Sequence, residues 1–306
     1  MLSSISSSES AKRAPVWALM SFVVTLLTVG LASELLIRSQ VLPQDSFAQH
    51  RSILESVDTP DAAFGDSHTA RGFAAGQGFV NLAFPSEGIA HMAWKTQMYF
   101  ADRTPGRVIL QADPHFFASY RLRRQFEAYS DPSPRLLYLA DPRHRARLPG
   151  YWTRFVESGF KLDSKVVQTA DGALLSPGDF AALSPRAQIL EARKRAIVHQ
   201  IGADERVQLA QQAYAGMVTS LTEQGAEVCM VSYPVTRAYR DAVGAAHQPM
   251  IDFFQGTALR NGSRYVDARS TVTDQSLFRD SDHLNAQGAA AFMDQLLSAC
   301  FGERPS

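Results

Sequence analysis

The sequence predicts an α/β fold: a three-layer sandwich with a parallel five-stranded sheet, preceded by one transmembrane helix. Three observations carry this. From residue 59 onward, short apolar runs alternate with helical stretches, the pattern of a parallel sheet buried on both faces. Polar side chains able to do chemistry follow those runs, where open parallel sheets bind ligands. Near the N-terminus, an uncharged stretch is long enough to cross a bilayer.

The N-terminal elements come first. Residues 1–13 are Ser-rich and polar and read as a cytoplasmic tail. Residues 14–37 read as a transmembrane signal anchor. The run from Ala14 to Ser33 carries no charge, with Lys12 and Arg13 before it and Glu34 and Arg38 after it. The positive-inside rule then leaves the large remainder outside. A cleaved signal peptide, with Gly30 and Ala32 before the cut, is the competing reading. The run is longer than a normal signal core, which favours the anchor. Residues 38–58, with Pro43, Gln44 and Asp45, read as a linker.

Residues 59–306 read as one domain. Its strands are expected at Ala62-Ala63-Phe64, Phe79 to Ala83, Arg107 to Leu110, Glu227 to Val231 and Arg264 to Val266. Helices are expected over 89–101, 205–224, 240–260 and 285–299. Residues 119–204 break the rhythm and read as an insertion on top of the sheet. They hold a basic cluster (Arg135, Arg143, His144, Arg145, Arg147) and the aromatics Tyr151, Trp152 and Phe155. A solvated surface accounts for such a cluster; a grip on anionic polysaccharide is the sharper reading.

Composition narrows the function. Thirty basic residues balance thirty acidic ones, so no net field points to nucleic acid. The two cysteines, Cys229 and Cys300, are too few for a disulfide-built scaffold or a four-cysteine zinc site. Cys229 sits in a strand-like apolar run, so an inert core thiol is the preferred reading, with a Cys229–Cys300 disulfide as the alternative in an exported domain.

Chemistry concentrates after the strands. Ser67 follows the first, and Asn81 and Gly88 lie in and beyond the second. Gln111, Asp113 and His115 end the third, and Asp280 and His283 precede the last helix. Phe64-Gly65-Asp66-Ser67-His68 resembles the first block of the SGNH (GDSL-like) hydrolases. Asp280-Ser281-Asp282-His283, running into a helix, resembles their last block. The resemblance spans about residues 60–300 and implies an SGNH/flavodoxin-like fold. It also implies acyl transfer by a Ser-His-Asp triad. Ser67 would be the nucleophile and His283 the base, with Asp280 orienting the imidazole. Oxyanion donors would come from Ser67, from Ser86 or Gly88 in the second block, and from Gln111. Gln111 stands where the third block normally has Asn, a departure from the family pattern. His68, Asn81, Asp113 and His115 are candidate substrate contacts. No cofactor is expected.

The membrane anchor, the Gly-Asp-Ser-His block and the Asp113-Pro114 strand end look most like the envelope acyltransferase branch of that family, which includes the alginate O-acetyltransferase-type and D-alanyl-teichoic-acid transfer proteins. That resemblance implies transfer of an acyl group, often acetyl, from an acyl donor to a polysaccharide acceptor. It further implies a membrane-bound O-acyltransferase partner and a single-pass place in a bacterial cytoplasmic membrane, with the domain periplasmic or extracellular. Three other readings stand beside it: an esterase of the same fold, a catalytically weak scaffold, and a metal site built from Asp66, His68, Asp280 and His283. The last leaves Ser67 without a role.

Overall fold

The computed structural model describes residues 8–42, 53–54, 56–74, 76–124, 136–161, 167–169, 172–175, 178–203 and 205–302. Two compact units result: Met1–Ala48 with Ser133–Ser164, and Gln49–Pro132 with Lys165–Ser306. The expected features at Pro43, Gln44, Asp45 and Arg135 lie outside the described residues.

In the larger unit the strands are β1 (Ala62–Phe64), β2 (Val80–Asn81), β3 (Arg107–Gln111), the short β4 (Val167–Gln168) and β5 (Leu174–Leu175), β6 (Glu227–Ser232) and β7 (Arg264–Asp267). Five form one all-parallel sheet in the order β2-β1-β3-β6-β7, while β4 and β5 pair as a separate antiparallel ribbon. Leaving the ribbon aside, this is the 2-1-3-4-5 order of a doubly wound sheet, whose switch point falls between β1 and β3. All five lie where the apolar runs put them.

Helices follow in chain order: α1 (Ser8–Leu36), α2 (Ser67–Gly72), α3 (Ile89–Tyr99), α4 (Ser119–Arg124), α5 (Pro142–Glu157), α6 (Pro185–Val198), α7 (Glu205–Glu223), α8 (Arg237–Val243), α9 (Gln248–Arg260) and α10 (Ala286–Phe301). Because strand side chains alternate in direction, the sheet has two apolar faces. Phe64, Val108, Leu110, Val228 and Met230 pack with α3, α7 and α9. Ala63, Ile109, Cys229 and Val231 pack with α10 and with Phe73 beyond α2. Phe254 and Phe292, one on each face, are essentially unexposed. Each such side chain contributes about 1.5–3 kcal/mol by leaving water.

Three expectations change. The helix over 240–260 is two helices, α8 and α9, joined by a 3-10 turn. Gly244 adopts φ 54° and ψ −140°, a conformation side-chain-bearing residues avoid, and this ends α8. Within 119–204, the regular helix α6 is capped by Ser184, whose Oγ accepts from Ala187 N, with Pro185 at its first position. Finally, Cys229 is not a free core thiol. It is bonded to Cys300, tying β6 to α10. A strand centre and a helix packed on the same face bring the two Cα atoms to 5.5 Å, within disulfide reach.

The smaller unit contains α1, whose window from Trp17 is long and apolar enough to cross a membrane. The helix starts at Ser8, ahead of the apolar run. Leu36 and Ile37 pack with Tyr151, Leu148, Trp152 and Phe155 of α5.

Candidate active site

The site forms where β1 and β3 part. Gly65-Asp66 leads β1 into α2. Asp66 is the N-cap, its Oδ1 accepting from His68 N at 2.8 Å. Ser67 is therefore the first helical residue, and its N–H has no intrahelical acceptor. Gly65 is required by space. A Cβ there would lie 2.4 Å from Gln111 Oε1 and from Thr69 Oγ1.

The last block arrives from the other end of the chain. His283 Nε2 lies 2.8 Å from Ser67 Oγ, across 216 sequence positions. His283 Nδ1 lies 2.8 Å from Asp280 Oδ1, which also accepts from His283 N at 3.0 Å. Nδ1 therefore carries the hydrogen toward Asp280, and Nε2 is left to accept from the serine. Asn285, at the N-cap of α10, accepts from Gly288 N at 2.9 Å and so fixes the start of the helix behind this loop.

Beneath this row lies a second one that is almost wholly buried. His68 sits between two carboxylates, with Nδ1 2.9 Å from Asp113 Oδ2 and Nε2 3.3 Å from Asp282 Oδ2. Burial opposes charge on His68, but Asp113 and then Asp282 outweigh it and raise its pKa to about 10. His68 is thus an imidazolium at neutral pH. Its ring meets that of His283 edge-on at 4.8 Å. Asp282 also has Arg195 Nε at 3.0 Å and His283 Nδ1 at 3.5 Å. Asp66 accepts from the Arg121 guanidinium and lies 2.8 Å from His115 Nε2. Although burial works against its charge, Arg121 and His115 hold its carboxyl well below the usual range. His115 stacks on His199 at 4.7 Å, and burial lowers the pKa of both. Three carboxylates (Asp66, Asp113, Asp282) thus face three cations (Arg121, Arg195, His68), the pairing that buried charge demands.

The structure divides the sequence candidates accordingly. Ser67, His283 and Asp280 come together in one hydrogen-bonded chain. His68, Asp113, His115 and Asn81, read as substrate contacts, are instead buried with their polar groups turned inward. Asn81 Nδ2 donates to the carbonyls of Thr69 and Phe73, and its Oδ1 accepts from Ala83 N. Gln111, read as an oxyanion donor, leaves its donor group uncommitted: its Nε2 is buried without a hydrogen-bond partner among the described residues. It is fully buried, and its Oε1 accepts from Asp66 N at 2.7 Å and from Thr69. The loop with Ser86 and Gly88 is tied to the nucleophile turn by Phe84 N, which donates to Gly65 O at 3.0 Å. Ser86 is exposed and has φ 69°, while Gly88 is buried as the N-cap of α3.

Sequence reasoning passed over Glu87, Lys95, Arg121, Arg195 and His199, and named Asp282 only as part of the last block. Glu87 and Lys95 form a buried pair at 2.6 Å, and the Glu87 carbonyl accepts from Arg121 at 2.8 Å. Burial pushes the Glu87 carboxyl up to about 7 despite Lys95. For Asp282 there was a signal, since it is the one acid directly before the motif histidine. The others come from three stretches far apart in the chain, Glu87–Lys95, Arg121 and Arg195–His199.

Two groups could each bring three ligand atoms to one ion: His68 with Asp113 and His115, and His68 with Asp282 and His283. In both groups the His68 nitrogen already faces a carboxylate directly, Asp113 Oδ2 at 2.9 Å and Asp282 Oδ2 at 3.3 Å.

No family model matches the chain, and no curated protein matches it. Among solved structures it is similar to a "putative acylhydrolase" from Bacteroides fragilis, with 11% identity, 81% of this chain and 92% of that chain covered, and TM-score 0.41. It is also similar to a carbohydrate acetylesterase from Sinorhizobium meliloti, with 10% identity, 79% and 99% covered, and TM-score 0.36. Likeness at this level does not assign an activity.

Proposed function

We propose that this chain performs serine-dependent acyl-ester chemistry. The supporting observation is the unbroken chain Ser67–His283–Asp280, with both contacts at 2.8 Å, at the mouth of a doubly wound sheet. In this mechanism Ser67 Oγ attacks the carbonyl of an acyl ester while His283 Nε2 takes its proton. Asp280 holds the ring and stabilises the imidazolium. The tetrahedral oxyanion is met by the Ser67 N–H and by a backbone N–H from Gly88 or Ser86. His283 then gives the proton to the leaving alcohol, which leaves Ser67 acylated. An incoming hydroxyl, deprotonated by His283, takes the acyl group and frees Ser67.

Within this chemistry we favour transfer of an acetyl group to a hydroxyl of a cell-envelope or exported polysaccharide. Hydrolysis by water is the alternative second half. The preference rests on the resemblance of the Gly65-Asp66-Ser67-His68 block and of the anchor to the envelope acyltransferase branch. That resemblance also implies a membrane-bound O-acyltransferase as the supplier of acyl groups. The proposed setting is the outer side of a bacterial cytoplasmic membrane. The Cys229–Cys300 bond supports it, because such bonds persist in oxidising compartments.

The test is full-length protein in detergent with p-nitrophenyl acetate, with and without a neutral or anionic oligosaccharide. Nitrophenol release by wild type and not by Ser67→Ala supports the triad. An acetylated sugar, seen by mass spectrometry only with wild type, makes it a transferase. Equal silence of two folded proteins on this ester and on acetylated polysaccharide would favour the scaffold reading.

A further inference from the structure

The segment that departs from the strand–helix rhythm contains a second amphipathic element beside the membrane helix. Glu34 is the first charged residue after the apolar run. It sits in a part of α1 whose carboxylate accepts from Tyr138 N at 3.0 Å and Leu139 N at 2.9 Å. Arg38 Nη2 donates to Leu136 O at 2.7 Å, and its guanidinium lies over the Tyr138 ring. One turn earlier, Ser33 Oγ accepts from Trp152 Nε1 at 3.1 Å. Residues 136–155 are therefore clasped to positions 33–38 of the helix. At 1.5 Å per residue, that interval covers about 8 Å of helix. It begins where the uncharged run stops, so with α1 spanning a bilayer it would fall at the headgroup layer, roughly 5–7 Å thick on each side of the hydrocarbon.

In that layer the clasp turns apolar side chains outward. Leu136 is 97% exposed, Phe160 66% and Val156 56%. The inward face of α5 is already occupied, with Leu148, Tyr151, Trp152 and Phe155 packed against Leu36 and Ile37. Arg145, Arg147 and Arg154 are exposed on the same short helix. Arginines and Val156 on α5, with Leu136 and Phe160 exposed just before and after it, give this segment the composition of an interfacial element.

We propose that residues 136–160 form a lipid-facing collar around the emerging end of α1, with Leu136, Val156 and Phe160 seated among acyl chains and the α5 arginines on anionic headgroups. The collar rests on α1 being a membrane anchor. It would hold the smaller unit against the bilayer at two places instead of one, and it gives the basic cluster a lipid partner in place of a polysaccharide.

The test uses the full-length chain in nanodiscs, where both faces are reachable. Both native cysteines are joined to each other, so an introduced cysteine is the sole thiol without reductant. An environment-sensitive dye is placed at Leu136→Cys and Phe160→Cys, with Val24→Cys inside the apolar run and Leu259→Cys, 85% exposed, as the aqueous reference. The expected result at 136 and 160 is quenching by lipids carrying a shallow nitroxide, and quenching by iodide several-fold weaker than at 259. Adding phosphatidylglycerol to phosphatidylcholine discs deepens this protection. Replacing Arg145, Arg147 and Arg154 by Ala removes that increment. Iodide access at 136 and 160 equal to that at 259, with 24 still quenched by lipid, overturns the collar and leaves the anchor standing. Iodide access at 24 as well overturns the anchor, and the collar with it. Protection of 136 and 160 that needs added anionic polysaccharide overturns the lipid assignment.

Discussion

Two rows of the same residue types meet at the switch point and behave differently. In the upper row His283 has one carboxylate at 2.8 Å and a serine on its other nitrogen. In the lower row His68 has a carboxylate on each nitrogen and almost no solvent. The first arrangement aims one ring nitrogen at a carboxylate and the other at a serine hydroxyl, as the proposed chemistry requires. The second holds a proton up to about pH 10 and makes the ring a cation in a charge-balanced core at neutral pH. Neighbours and burial, more than residue identity, decide which histidine can act as a base. The comparison also explains why His68, although adjacent to Ser67, is not a second nucleophile partner.

The sharpest way to break the comparison is to remove one member of each row. Ser67→Ala should lower kcat on an activated ester by about 10⁴-fold or more while leaving the melting temperature nearly unchanged. His283→Gln should do the same. His68→Gln should behave in the opposite way. It leaves Asp113 and Asp282 buried without their shared cation, at a cost of about 3–5 kcal/mol in chemical denaturation. If His68→Gln were as stable as wild type, the lower row would not be the charge-balanced support described.

The same row predicts a pH dependence. A histidine raised to about 10 contributes stability that is complete below its unfolded value near 6.5 and is lost as pH rises through about 10. Asp66 and Asp282, held well below their usual value, contribute stability present above about pH 4 and lost as pH falls through their lowered values. The alkaline fall in melting temperature should therefore begin near pH 6.5 and run to about pH 10, and an acid fall should set in below about pH 4. The alkaline limb should shrink in His68→Gln, whereas His283→Gln should keep it.

Smaller effects lie further from the rows. Replacing Cys229 and Cys300 by Ala should cost about 2–5 kcal/mol, read as a drop in denaturant midpoint. Asn285→Ala should cost about 1 kcal/mol through loss of the α10 cap, with a minor loss of activity from a looser His283 loop.

The upper row was legible because its chemistry is local. Gly65-Asp66-Ser67 and Asp280-Ser281-Asp282-His283 each carry their geometry within one turn, and each precedes a helix that the apolar pattern announces. The five strands were legible for the same reason, since each is a short apolar run that needs only its own residues to be recognised. The lower row was not legible, because it joins Arg121, Arg195 and His199 to the motifs through burial in three dimensions. Asp113, His115 and Asn81 were seen as important but misplaced. A polar residue at the end of a strand can face either the mouth or the core, and sequence does not say which. Helix α5 was missed because its apolar positions, Leu148, Tyr151, Trp152 and Phe155, are spaced for a helix but lie among arginines and interrupted by Pro149.

The bond between Cys229 and Cys300 makes a covalent ring of the chain between them. Asp280 and His283 lie inside that ring, and Ser67 lies outside it. A single protease cut anywhere from 230 to 299 therefore opens a loop without releasing a fragment. The severed ends stay joined through the strand centre and the last helix. Such a nicked molecule would run at full mass on a gel until it was reduced.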